Sequence, residues 1–150
     1  MTDAESDVKR RINNSLIDSM ANVFALACRR HYDLHVFTKL FLNSDTYNDF
    51  YDDFSLNCQS VNYVLNRFMS ELGVELPKSE TDETEAGYWV GWILGHWQFD
   101  KGLSGRDILK GYDIDYIIDS YPCYHTQGNR YVYYQFEREG RLDKSSDMPI

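Results

Sequence analysis

Large apolar side chains recur every three or four residues along most of this chain, and that regularity restricts it to helical folds. Leu16, Met20, Val23, Phe24 and Ala27 lie on one face of a helix ending near Arg30. Val61, Val64, Leu65, Phe68 and Leu72 repeat the pattern, and so do Trp89, Trp92, Ile93, His96 and Trp97. Aromatic residues reach 15% of the chain and follow this helical period, while Val and Ile are few, which argues against a large sheet. The expected fold class is therefore all-α: a compact helical bundle, with two degenerate helical repeats packed together as one form of it.

Capping signals mark the helix ends. Asp33 reads as the N-cap of Leu34 to Leu42, and Ser44 as that of a segment ending near Phe54. Gly73 closes the helix that runs from Cys58 to Leu72. Ser104 with Asp107 forms a capping-box-like start, Asp113 caps the next helix, Pro122 is expected to end it, and a last helix runs from about Gly128 to Glu139. The run PKSETDETE reads as an acidic linker. The expected organisation is a fraying acidic start (1–12), a first helical block (14–76), the linker (77–85), a second block (86–139) and a fraying tail from Gly140, all within one compact domain.

The two blocks share a plan. Cys58 to Phe68 can be laid over Thr126 to Phe136, so that Gln59 meets Gln127, Tyr63 meets Tyr131, Val64 meets Val132 and Phe68 meets Phe136. On that plan Asp33 corresponds to Ser104, and Ser44 to Asp113. Trp89, Trp92, Ile93 and Trp97 are expected at the centre, against Phe24, Val64 and Phe68. Gly87, Gly91 and Gly95 form a stripe on the Trp helix where another backbone can come close. Packing inside the chain is the expected use of that stripe, with a homodimer seam as the alternative.

With 26% charged and 43% hydrophobic residues the chain has a globular balance. Its net charge of −9 disfavours direct binding to nucleic acid phosphates or an anionic membrane, and suits a basic protein partner. Cys28, Cys58 and Cys123 lack C-x-x-C spacing and read as reduced thiols; with no secretory signal and no span of about 20 apolar residues, a cytoplasmic location is expected. The acids Asp45, Asp49, Asp52 and Asp53 are the expected partner-binding face, a solvated helix face being the plainer reading.

Catalytic signals are sparse. Arg30 and His35 fit the R-x4-H spacing of ribonucleases built on the HEPN helical bundle, but Asp33 breaks the helix between them. Cys28, His31 and His35, joined by Cys123 and His125, have passable spacing for zinc, yet without a C-x-x-C pair buried thiols and capping imidazoles are the better reading. No metal or cofactor is expected. No Ser/His/Asp order, Walker loop or G-x-G-x-x-G motif occurs.

Leu103-Ser104-Gly105, Asp115-Tyr116-Ile117-Ile118 and His125-Thr126-Gln127-Gly128 stand in fixed order. This pattern resembles a small helical bacterial domain of unknown function that is often encoded beside toxins. The likeness covers Trp89 to Phe136 and carries over Tyr116, His125, Thr126, Gln127 and Gly128 as motif residues. It implies a noncatalytic, antitoxin-like or defence-associated role, exercised on a protein partner such as a basic toxin or effector. A HEPN-like ribonuclease and a polyanion mimic that inhibits a nucleic-acid-binding protein are the alternatives.

Overall fold

The computed structural model describes residues 2–142, and those residues form ten helices and no named strand. The first half holds α1 (Asp3–Arg29), α2 (Leu34–Leu42), α3 (Asp45–Phe50), α4 (Phe54–Asn57) and α5 (Val61–Leu72). The second holds α6 (Thr84–Lys101), α7 (Gly105–Gly111), α8 (Ile114–Asp119), α9 (Tyr121–Tyr124) and α10 (Asn129–Glu139). The fold is all-α, as the apolar spacing requires.

Asp33, Ser44, Ser104 and Asp113 each cap their helix through a side-chain oxygen that accepts a backbone N–H. Four boundaries differ from expectation: α3 ends at Phe50, short of Phe54, and α5 starts at Val61 behind its Ser60 cap, not at Cys58. Residues 3–12 do not fray: Thr2 and Glu5 form a capping box, so α1 begins at Asp3. Pro122 does not end α8, which stops at Asp119. It sits in the first turn of α9 instead, where its missing N–H has no helical partner to lose.

α1 and α6 pack against each other along most of their shared length, and the glycine stripe makes that possible. A Cβ on Gly87 would lie 2.5 Å from Cys28 Sγ, one on Gly91 2.8 Å from Ala21 Cα, and one on Gly95 3.0 Å from the Ile17 side chain. The stripe is therefore an internal seam. Cys28 is buried there, and desolvation pushes its thiol up to about 12.

Aromatic clusters fill the space on either side. Phe24, Phe37, Phe41 and Phe68 meet in the first half, with Phe41 and Phe68 ring centroids 4.8 Å apart. Trp97 packs on Phe136 at 5.6 Å and on Tyr112 at 4.6 Å in the second. Trp89, Ile93, Trp97, Phe24, Val64 and Phe68 are buried as expected. Trp92 is only half-buried: it packs at the edge of the core and against the His96 ring at 4.6 Å.

The halves share a local construction. Tyr32 bridges Lys78 while Asp33 N–H donates to the Pro77 carbonyl and Ser79 N–H to that of His31. Tyr112 bridges Arg141 while Asp113 N–H donates to the Gly140 carbonyl and Leu142 N–H to that of Gly111. A cation covers the tyrosine ring in both, Lys78 over Tyr32 and Arg141 over Tyr112. The bridges are alike only locally: in element order α2, capped by Asp33, corresponds to α7, capped by Ser104, and α3, capped by Ser44, to α8, capped by Asp113, as the cap spacing expects. Where Cys58 to Phe68 is laid over Thr126 to Phe136, Val64 and Val132 are both buried, as are Phe68 and Phe136. These bridges also pin Pro77 and Lys78 to the α1–α2 junction, and Gly140 to Leu142 to the start of α8. The remainder of the expected fraying tail lies outside the described residues.

Candidate functional site

α3 is short because Ser44 starts it and Asp53 starts a new helix soon after its end. Its inner face buries Thr46, Tyr47 and Phe50, which turns Asp45 and Asp49 to solvent, with Asp52 exposed in the following turn. The expected acidic tract thus lies together on the surface, but its members do different work. Asp45 pairs with Arg106 at 2.7 Å, and Asp53 caps α4 through Ser55 and Leu56 N–H. Bonds from the Ser55 hydroxyl and from those backbone N–H groups hold the Asp53 carboxyl below its usual range. Asp49 and Asp52 form no side-chain hydrogen bond or ion pair with the described residues, so their charge is free for a partner.

Beside them stands Phe54, 79% exposed, in a shallow depression with Asp49, Asp52 and Asp53. α4 is one turn long and buries only Leu56, and among the described residues nothing covers the Phe54 ring. An exposed phenyl ringed by carboxylates has no packing explanation, since burying a phenylalanine is worth about 1.5–3 kcal/mol. Helical periodicity could not single Phe54 out, because a single apolar residue in a short capped turn carries no period.

Asp52 also joins a second concavity. A cavity of about 300 Å³ opens between the end of α3 and the α6–α7 turn, with Tyr51 and Asp52 on one wall and Phe99, Leu103 and Asp107 on the other. The Tyr51 and Phe99 rings meet edge to face at 5.1 Å. The amides around it are already committed. Asn48 Nδ2 donates to the Leu42 and Ser44 carbonyls, Gln98 Nε2 donates to the Leu103 carbonyl, and Tyr47 Oη donates to Gln98 Oε1. Asp107 closes the α7 capping box, and bonds from the Ser104 N–H and hydroxyl hold its carboxyl below the usual range. The groups that remain to face a ligand are carboxylates and aromatic rings, a set suited to a cation.

The nuclease pair is placed otherwise. Arg30 is the C-cap of α1, and its guanidinium donates to Asn66 Oδ1 and Asn62 Oδ1 on α5. His35 lies in the first turn of α2, with Nε2 2.7 Å from Asp119 Oδ1 on α8. Between them His31 takes a left-handed φ of 65° and Asp33 caps α2, so the two side chains turn to different neighbours. Among the described residues no cluster of three or more His, Cys, Asp or Glu is arranged to hold a metal, Cys28, His31, His35, Cys123 and His125 included.

The motif residues run from α8, which holds Tyr116, to the start of α10. Tyr116 packs edge to face on Phe136. His125 is the C-cap of α9, its Nδ1 2.8 Å from the Tyr121 carbonyl and its ring stacked on Tyr121 at 4.6 Å. Thr126 and Gln127 are exposed, and Gly128 is the N-cap of α10. Fold chemistry accounts for Tyr116, His125 and Gly128; nothing in the structure explains Thr126 or Gln127.

What these elements define is an all-α protein with an acidic, aromatic surface spread over α3, α4 and the α6–α7 turn. No family model matches the chain, and no curated protein or solved structure matches it. No helix among the described residues is long and apolar enough to cross a membrane.

Proposed function

We propose that this chain is a noncatalytic protein-binding module, antitoxin-like or defence-associated as the motif resemblance implies, that engages a basic protein partner through the surface around Phe54. One observation carries the reading: a largely exposed phenylalanine set among three carboxylates, two of them unpaired. Aromatic side chains at the centre of an interface supply most of the binding energy, while surrounding charges set partner choice and association rate. The Asp52–Asp107 cavity next to it would receive a lysine or arginine side chain of that partner, stabilised by the carboxylates and by the faces of Tyr51 and Phe99.

The test uses the full chain as bait. Wild type should retain a basic protein that Phe54→Ala and the double reversal Asp49→Lys/Asp52→Lys both release, while Arg30→Ala/His35→Ala still retains it. If the acidic variants keep every partner, and RNA is degraded in a manner that needs Arg30 and His35, the ribonuclease reading replaces this one.

A further inference from the structure

α1 outruns the bundle. From Thr2 to Ile12 every residue is exposed, and Ile17 is the first buried one. This arm carries large apolar side chains to water: Val8 is 53% exposed and Ile12 54%. With Ala4 they form a stripe one helical step of four apart, flanked by Glu5 and Lys9 in an almost wholly apolar strip of surface. Since successive residues turn by about 100°, the stripe faces away from the side on which Ile17, Met20 and Phe24 meet the bundle. Nothing within the described chain covers it.

Charge specifies what does. Glu5 and Lys9 border the stripe on one side, Asp7 and Arg11 on the other. Acids at the start of a helix suit its macrodipole, whereas Lys9, Arg10 and Arg11 lie far from the C-terminal end of α1; Arg10 pairs with Asp7 at 2.9 Å within the arm, and Lys9 and Arg11 form no ion pair with the described residues. Two such arms laid antiparallel about Val8 set Ala4 against Ile12. Each border then faces the same border of its mate, so the twofold makes two Glu5–Lys9 and two Asp7–Arg11 approaches across the seam, against one Lys9–Lys9 and one Asp7–Asp7 approach beside the axis. A parallel pair would instead oppose the unlike borders, with Glu5 near Asp7 and Lys9 near Arg11, like charge against like. The twofold also directs the two bundles toward opposite ends of the shared helices. We infer that the α1 arm is a self-association element that pairs antiparallel with the arm of a second copy, Val8 at the axis. This surface is separate from the Phe54 face and does not depend on it. The paired arms alone form less than a standard interface of about 1,600 Å², so the dimer is a weak, concentration-dependent one.

Sedimentation equilibrium of the full chain from roughly 10 µM to 1 mM reads this directly. The mass of wild type should climb from 17.7 kDa towards twice that value. Val8→Gln/Ile12→Gln, which keeps good helix formers in the arm, should raise the dissociation constant at least tenfold with no loss of helical circular dichroism. Asp7→Lys and Arg11→Asp should each weaken self-association, and an equimolar mixture of the two should recover it as a heterodimer. A wild type that stays monomeric throughout overturns the inference. So does a dimer untouched by the Val8/Ile12 change, or a mixture that pairs no better than either variant alone.

Discussion

Gly91→Ala should destabilise the protein although it replaces the poorest ordinary helix former with the best. In an exposed helix that change gains about 1 kcal/mol. Here the new methyl carbon would lie 2.6 Å from Phe24 Cδ1 and 2.8 Å from Ala21 Cα, against the roughly 3.5–4.0 Å of normal carbon contact. Phe24 is locked between Phe37 and Phe41, and Ala21 Cα is backbone, so the two long helices themselves must separate. Overpacking of this kind costs typically 1–3 kcal/mol, and with two such contacts the upper end applies, leaving a net loss of about 1–2 kcal/mol. Gly111 supplies the control. It ends α7 with nothing within 4 Å of an added Cβ, so Gly111→Ala should gain about 0.5 kcal/mol. Urea unfolding with matched slopes reads both, and the two midpoints should move in opposite directions. A Gly91→Ala midpoint equal to or above wild type would show that α1 and α6 do not approach as closely as described.

Two further outcomes follow from the same packing and electrostatics. Trp97→Ala should cost about 3–5 kcal/mol in urea unfolding, because Trp97 is wholly buried between Tyr112 and Phe136, whereas the half-buried Trp92→Ala should cost less than about 2 kcal/mol; equal losses would contradict the burial difference. Glu71 governs an acid-side loss of stability. Burial pushes its carboxyl up, but bonds from the Thr46 hydroxyl and from the Thr46 and Asp45 N–H groups outweigh burial and hold it below its usual value. A carboxyl depressed in the folded state stabilises above its unfolded pKa, and that contribution disappears as pH falls through the folded one. Between about pH 5 and pH 3, wild type should therefore lose more urea resistance than Glu71→Gln; parallel curves would remove Glu71 from the account.

Much of the fold could be read from single residues. Asp33, Ser44, Ser104 and Asp113 marked helix starts because a short polar side chain ahead of an apolar period has one good use there, and the Gly87–Gly91–Gly95 stripe announced a close approach before its mate was known. The misses share a cause. The first turns of α1 have a capping box and only the narrow Ala4–Val8–Ile12 stripe among charged neighbours, too thin an apolar face to stand out where the helix is held by local bonds. Trp92 fits the helical spacing as well as Trp89 does, yet α6 is apolar nearly all round, and spacing cannot tell which side meets solvent. Pro122 opens α9 because α8 had already ended with Ser120 bonded back to Ile117, a competition that a proline alone does not reveal. The acidic tract was legible as charge, but not the division of labour within it: Asp45 is committed to Arg106 and Asp53 to α4, leaving Asp49 and Asp52. Phe54 and the Asp52–Asp107 cavity needed the fold, since their walls come from segments far apart in sequence.

The most direct test of the binding surface is the salt dependence of affinity for the basic protein that wild type retains. Attraction between exposed charges is screened over about 8–10 Å at physiological ionic strength. Wild-type affinity should therefore fall steadily as salt rises, Asp49→Lys/Asp52→Lys should bind more weakly with a visibly flatter dependence, and Phe54→Ala should bind more weakly with the slope unchanged. Identical affinity and slope in all three proteins would contradict the central claim, and would place the partner on some other face of the molecule.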